Sequence, residues 1–363
     1  MINTSRTKPY YINPDLFFLF EKNSFCLWNY RDHEQFEIQK DLIELLIEIA
    51  RDKSIPKDHP LLKDLLENNI ISTTPYQDTQ WGWDKLSHMF HKGTQNIPEL
   101  FQKRTKEEMI TDFIGFSKGY AERKSKGSPP KKSATFQLSK VEKNPQTLSF
   151  VETVKKRFTS RYFSGKSLSE KDFSTMLYYT FGNCHSGWEG ISESVHLVGN
   201  RKTSPSAGGV HSIQAFVVVF AIEGIKPGLY LYDAIDHALT FIHSKADYQT
   251  LIPLMADQFY LEGLAFGVFL VSDLTKVWEK YLHSRAYREI FLDAGHLSQM
   301  LQLWATSLSH ETWISGYFRD DDLMEYLQIQ DETKAPLLFV GIGKGERTPL
   351  HPDMAAALKK YGR

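Results

Sequence analysis

Apolar positions divide the chain into two differently patterned parts. In the first 120 residues, residues 17–30 are rich in aromatics and broken by Lys22-Asn23-Ser24, which predicts two short strands around a turn. Leu42, Leu45, Leu46 and Ile49 recur at helical spacing. Pro56 and Pro60 punctuate, residues 61–68 read as a short second helix, and Ile70-Ile71-Ser72 as a strand. Helix, turn, helix, strand predicts a mostly helical, winged-helix-like module. Residues 107–122 read as a further helix. A basic stretch follows, Arg123-Lys124-Ser125-Lys126-Gly127-Ser128-Pro129-Pro130-Lys131-Lys132. It is either a solvated linker or a contact surface for an acidic partner.

From residue 149 the pattern sharpens. Ser169, with Asp172 three residues on, opens a helix. Phe173, Met176, Leu177 and Phe181 fill one face of it, and Gly182 ends it. Strands are expected at 215–221, 229–232, 266–271 and 337–342. The near-continuous apolar run through Val268 and Leu270 suits a strand covered on both faces. Between the last two strands a long helix is expected over 286–308. Its apolar stripe is Tyr287, Ile290, Phe291, Ala294, Leu297, Leu301, Trp304 and Leu308. The sum is an α+β domain, a central sheet wrapped by helices. The expected organisation is a first domain at 1–123, a basic Gly/Pro/Ser linker at 124–148 and a second domain at 149–363.

Composition narrows the function classes. Of 363 residues, 41% are hydrophobic and 24% charged, and the formal net charge is -1. That balance argues against a protein built to coat nucleic acid or an anionic membrane. The two cysteines, Cys26 and Cys184, stand far apart with no ligand spacing, so no metal site is expected. No signal peptide and no 18-residue apolar run is found, and a cytoplasmic location is expected.

Five segments offer chemistry. Arg157-Phe158-Thr159-Ser160-Arg161 sets two arginines around hydroxyls, which suits a phosphate or polyol and equally an ordinary surface. Ser204-Pro205-Ser206-Ala207-Gly208-Gly209-Val210-His211 precedes a strand. Its small residues allow close approach to a flat ring, or simply a tight turn. It lacks the Lys-Ser/Thr ending of a Walker loop. Gly341-Ile342-Gly343-Lys344-Gly345-Glu346-Arg347 leaves the last strand as a phosphate grip or a solvated turn. Lys280-Tyr281 supplies two proton-transfer groups. Each is protonated at neutral pH unless its surroundings shift it, and desolvation lowers a lysine but raises a tyrosine. Asp293, His296 and Gln299 share a polar stripe on the long helix without an evident third metal ligand, which favours a hydrogen-bonded cluster or ligand contact.

In this order the segments resemble the SagB-type dehydrogenases, nitroreductase-like flavoproteins that include the azoline oxidases of thiazole/oxazole-modified peptides. The resemblance spans about 157–347 and rests on PSAGGVH at 205–211, GLYLYDAIDHAL at 228–239 and KYLHSRAYREIFLDAGHLSQ at 280–299. It implies a nitroreductase-like sandwich, a homodimer, and FMN bound between subunits. Arg157, Thr159 and Arg161 match the phosphate and ribityl segment. Pro205, Ser206, Ala207 and Gly208 match the segment against the isoalloxazine ring, and Gln299 the helix glutamine. Ser315 and Gly316 fall near the reactive edge of the flavin, and Gly343, Lys344 and Arg347 match the late phosphate segment. Lys280 and Tyr281 match a pair regarded as catalytic. The family usually has a second Arg followed by Ser where this chain has Phe158 and Thr159, and Asn where it has Met300.

The resemblance implies oxidation of a thiazoline or oxazoline to the azole in a ribosomally made peptide. The implied partners are the peptide, its leader held by the first domain, and a cyclodehydratase. Two other expectations stand beside it: an NAD(P)H-dependent nitro or quinone reductase, and a flavin-free peptide-binding scaffold. Near-neutral charge disfavours a DNA-binding regulator.

Overall fold

The computed structural model describes residues 10–51, 53, 55–77, 81–82, 84–95, 105–112, 114–115, 135–185 and 202–361. They form two compact units, 1–104 and 105–363.

In the first unit, β1 (Tyr11–Ile12) pairs antiparallel with β5 (Ile71–Ser72). β2 (Leu16–Glu21), β3 (Ser24–Asn29) and β4 (Glu34–Glu37) make an antiparallel meander in that order. The expected hairpin turns at Lys22, which takes a positive φ of 55°. β4 adds a third strand that its polar composition, Glu-Gln-Phe-Glu, conceals. Helices α1 (Lys40–Ala50) and α2 (Leu62–Glu67) supply Leu45, Leu46, Ile49, Leu62 and Leu65 to a core with Leu27 and Ile71. Helix α3 (Lys85–Gly93) places buried His88 beside Tyr30, whose hydroxyl donates to buried Asp15 at 2.7 Å.

Residues 106–112 and 114–115 are helical; the rest of the helix expected over 107–122, and the basic stretch 123–132, lie outside the described residues. Within the expected linker, residues 136–138 are packed rather than free. β6 (Phe136–Gln137) pairs with the second unit's sheet and Leu138 enters its core. The apolar alternation Phe136, Leu138 is what holds this polar stretch down.

The second unit is built on a seven-stranded sheet in the order β11-β12-β10-β7-β8-β9-β6, with every neighbouring pair antiparallel. Its strands are β7 (Ile213–Val219), β8 (Gly228–Asp233), β9 (Ala238–His243), β10 (Phe266–Asp273), β11 (Glu311–Ser315) and β12 (Lys334–Gly343), with β6 at one edge. All four expected strands are present; β6, β9 and β11 are additional. Alternation sorts the central strands into two cores. Ala215, Val217, Val219, Val268 and Leu270 face one layer, and Phe216, Val218, Phe269 and Val271 the other. Burial on both faces is why β10 reads as a continuous apolar run.

Helix α4 (Phe150–Lys156) carries a full capping box from Ser149 and Glu152. Helix α5 (Glu170–Phe181) begins at Ser169, whose side chain accepts from the Asp172 backbone N–H, and ends at Gly182. α5 packs on the long helix α8 (Tyr287–Ser307) over the first core. On the other face lie α6 (Tyr248–Leu254) and α9 (Asp320–Tyr326), through Leu251 and Leu323. Short helix α7 (Leu274–Trp278) follows β10 directly, and α10 (Pro352–Tyr361) closes the described chain. The long helix corrects one expectation. Tyr287 and Phe291, assigned to its buried stripe, are 42% and 49% exposed, while polar Asp293 is 6% exposed. On these first turns Ile290 takes the buried side, in a small cluster with Val277 and Ala286, and Tyr287 and Phe291 lie off it. No described helix is long and apolar enough to cross a membrane.

Candidate functional site

Chemistry gathers at the two ends of β10. At the Asp273 end, β7 begins beside Ser272, and the Ser212 and Ser272 hydroxyls meet at 3.0 Å. The segment just before β7 is the small-residue loop, and Lys280 and Tyr281 follow α7 from the end of β10. The loop and the pair therefore converge. Lys280 Nζ donates to the Gly208 carbonyl. Gly208 has φ +54°, and a Cβ there would collide with the Tyr281 hydroxyl and with Lys280 Nζ. A larger residue would be strained by the backbone conformation and would displace the ends of Lys280 and Tyr281.

The loop is pinned from α8. Ser206 Oγ donates to Asp293 Oδ2 at 2.5 Å and the Ala207 N–H donates to Asp293 Oδ1 at 3.2 Å. The His211 N–H donates to Ser206 Oγ at 2.9 Å. Pro205 is exposed at the loop's start. Asp293 was legible as part of a polar stripe but not as a member of this site. The available signal was its spacing: it lies three residues after Ile290 and four before Leu297, both buried, so it shares their face. His296 and Gln299 are exposed further round and along α8.

Burial sets the electrostatics here. It pushes the Lys280 ammonium below the usual lysine range. It pushes the Tyr281 hydroxyl up, helped by the charges of Glu289 and Asp293. It raises the Asp293 carboxyl, against the lowering effect of the bonds from Ser206 and Ala207. His211 is pushed down to about 4 by burial, then by Lys202 and Lys276; Lys202 falls to about 8 by burial and then by Lys276.

At the Phe266 end, the chain after α4 runs beside the exit of β12. Thr159 bridges to Thr312 and Phe163 to Gly345. Arg157 donates to Thr159 Oγ1 at 3.4 Å, Arg161 to the Pro349 carbonyl at 2.8 Å, and Arg347 to the Lys155 carbonyl at 3.2 Å. Ser160 Oγ donates to the Glu346 carbonyl at 2.6 Å. The Arg347 guanidinium lies 5.3 Å over the Phe158 ring. Gly343 is buried where β12 ends, and Lys344 is exposed just after it. Among the described residues no carboxylate forms a salt bridge with Arg157, Arg161, Lys344 or Arg347. Four such cations with adjacent hydroxyls fit a phosphate and polyol chain.

These two groups are not brought together within one chain. β10 separates them by eight residues, roughly 24 Å at a strand rise of ~3.4 Å per residue. Ser315 and Gly316 lie between, at the end of β11. Ser315 donates to Gln258 Oε1 at 2.9 Å. Gly316 rims a groove of about 580 Å³ with Tyr287, Phe291 and Leu337. Leu337 also packs in the cluster that holds Tyr281 and Val210, so the groove adjoins the lysine end.

The nitroreductase family model matches residues 154–344. A Methanocaldococcus jannaschii protein named as a nitroreductase, MJ1384, is 24% identical over 189 residues, covering 52% of this chain and 87% of that protein. The trifolitoxin operon protein TfxC of Rhizobium leguminosarum bv. trifolii is 22% identical over 218 residues, 59% of this chain; the chain spans 60% of TfxC. Among solved structures, a chain of the E. coli microcin synthetase McbBCD complex with truncated pro-MccB17 bound is 19% identical. It covers 73% of this chain and 99% of its own, with a TM-score of 0.45.

Proposed function

We propose, from the premise that this chain belongs to the nitroreductase family, that it is an FMN-dependent dehydrogenase oxidising azoline rings to azoles in a ribosomally made peptide. The cofactor is FMN. The observation that carries the reading is the Lys280 amine, partly desolvated and held on the Gly208 carbonyl of the loop assigned to the flavin ring.

Aromatising an azoline removes two hydrogens from adjacent ring atoms, one as a proton and one as hydride. FMN supplies the hydride acceptor. Lys280 takes the proton: burial favours its neutral amine, the form that carries a lone pair, and an N–H donates to Gly208. Tyr281 keeps its proton, because burial and two nearby carboxylates oppose the phenolate. It serves as a hydrogen-bond donor beside the base. Asp293 and Gly208 fix the loop, and the half-buried setting limits water at Lys280.

Arg157, Thr159, Arg161, Gly343, Lys344 and Arg347 would hold the phosphate and ribityl chain. Pro205, Ser206, Ala207 and Gly208 would lie at the ring, with Gln299, Ser315 and Gly316 toward its edge. Since one chain carries the two sets at opposite ends of β10, a two-fold pair of copies would complete each site from both subunits. The exposed Phe150, Val151 and Val154 of α4 and Phe291 and Leu292 of α8 are the apolar surface such a pair would cover. In the first unit, β4 is an edge strand beside a groove of about 290 Å³ lined by Phe36, Leu42, Leu61 and Leu65. A leader peptide would add there as a strand, and a cyclodehydratase would deliver the azoline.

The test has two steps. The purified protein is expected to show a flavin spectrum and to release FMN on denaturation. It is then expected to oxidise a thiazoline or oxazoline peptide with oxygen as the final acceptor. A yellow protein that is rapidly reduced by NADH or NADPH, reduces nitro compounds and leaves azolines untouched would replace the peptide reading with a reductase. A colourless protein that FMN does not reconstitute would leave a peptide-binding scaffold.

A further inference from the structure

Asp293 is a carboxylate on the buried face of a helix, at 6% exposure, and among the described residues no cation is bonded to it. Burying a charge without an ion pair is costly, so its presence here calls for an account. Both of its oxygens are used, and both bonds go to the loop that ends on the acceptor of Lys280: Asp293 to Ser206 and Ala207, then Gly208, whose carbonyl receives Lys280 Nζ.

We propose that Asp293 is a positioning residue for Lys280. Its ionised carboxylate holds the Ser206–Gly208 loop in the one arrangement that keeps the lysine amine desolvated and aimed. Ser206 has a single proton and gives it to Asp293, while the His211 N–H fills one of its lone pairs. Its oxygen can then only accept a further bond. The hydroxyl's polarity toward the cofactor is thereby fixed from α8. An asparagine at 293 cannot reproduce this. It can keep both contacts only by accepting from the Ala207 N–H and donating its NH₂ to Ser206 Oγ, which reverses the hydroxyl's polarity.

The groups facing the carboxylate from the packed elements are Ser206 and Ala207 of the loop, Tyr281 after α7, and Glu289 and His296 of α8. Burial raises the Asp293 carboxyl, so the folded chain binds more protons than the unfolded chain just above the ordinary aspartate range. Stability therefore falls as pH rises through that window. At neutral pH the charge weakens the fold, and a neutral substitute there is not expected to.

The inference rests on Lys280 as the base, yet its first readout needs no substrate. The full chain, with FMN bound and without it, is labelled with acetic anhydride across pH, and Lys280 is followed by peptide mass spectrometry. In Asp293→Asn the labelling midpoint of Lys280 is expected to move up toward an ordinary lysine, slowing its labelling at pH 8 by at least ~3-fold. The variant should melt no lower than the wild type at pH 7. Ser206→Ala should move Lys280 in the same direction, and the double variant no further than the larger single effect. Unchanged Lys280 labelling in Asp293→Asn, or shifts that simply add in the double variant, would overturn the proposal. So would a lower melting temperature with labelling that tracks only the unfolded fraction. If Lys280 labelling shifts while azoline turnover does not, the positioning role stands and the assignment of Lys280 as base fails.

Discussion

The two ends of β10 carry charge in opposite ways. At the Asp273 end Lys280, Tyr281, Asp293 and His211 are buried enough for their proton affinities to move, and a glycine loop pins them. At the Phe266 end Lys344 and Arg347 stay exposed, and Arg161 and Arg347 are steadied by main-chain carbonyls. The contrast separates two tasks. Proton transfer near neutral pH needs a group whose affinity has been displaced, which requires desolvation. Gripping a phosphate needs charge that is always present, which a solvated guanidinium supplies without tuning. On the proposed reading, one strand holds apart a reacting end and a binding end, and each can be disturbed without the other.

The sharpest division should come from Lys280. Lys280→Ala with Tyr281→Phe is expected to lower azoline turnover by ~100-fold or more, the usual weight of a general base, while FMN affinity stays near wild type. The wild-type rate should rise with pH as Lys280 loses its proton, with a midpoint below the ordinary ~10.4 of lysine. Burial lowers the folded value, so the neutral amine appears at lower pH than in the unfolded chain, and protonating it on acidification costs stability. Full turnover in the double variant would remove the base assignment.

Gly208→Ala should come next. A Cβ at φ +54° meets the Tyr281 hydroxyl and Lys280 Nζ, and the left-handed backbone alone costs about 1–2 kcal/mol. Turnover is expected to fall by ~10-fold or more, with the visible spectrum of bound flavin altered. A variant with wild-type turnover and spectrum would mean that Lys280 and Gly208 do not meet in the working enzyme.

Arg347→Ala addresses the other end. If its guanidinium holds the phosphate as proposed, its loss is expected to weaken FMN binding by about tenfold, and less at high salt. Binding of riboflavin, which lacks the phosphate, should be unchanged. An equal loss for both flavins would put Arg347 away from the phosphate and break the division of labour along β10.

Much of this architecture was visible in the sequence, for identifiable reasons. Strands β7, β8, β10 and β12 announce themselves because both faces are buried. β11, Glu-Thr-Trp-Ile-Ser, pairs on one side with β12 and carries half-buried ends, so its pattern is weak. β9 ends in partly exposed residues and reads as loop. The lysine, the small-residue loop and the arginines could be named from their types, but their grouping could not. Lys280 and Gly208 stand 72 residues apart and meet only through the pairing of β7 with β10. Asp293 was hidden for the converse reason. Spacing placed it on a helix face, but whether that face meets water or a loop depends on elements 87 residues away.

The smallest expected effect tests why Phe158 stands where the SagB-type dehydrogenases that the sequence resembles usually carry arginine. Its ring lies under the Arg347 guanidinium at 5.3 Å, and Arg347 also donates to the Lys155 carbonyl. A second arginine would add charge but would repel Arg347; an aromatic ring attracts it through its π face. On the proposed reading, Phe158 exchanges a phosphate ligand for a support that orders Arg347. Phe158→Leu keeps the apolar bulk and removes the π face, worth about 0.5–1 kcal/mol at an exposed site. That corresponds to ~2- to 5-fold weaker FMN binding, again with riboflavin unaffected. In an Arg347→Ala background the same substitution should cost nothing further, because the cation it supports is gone. If Phe158→Leu weakens FMN equally with and without Arg347, the ring acts on the cofactor or the fold directly, and the binding end is tuned by packing as the reacting end is.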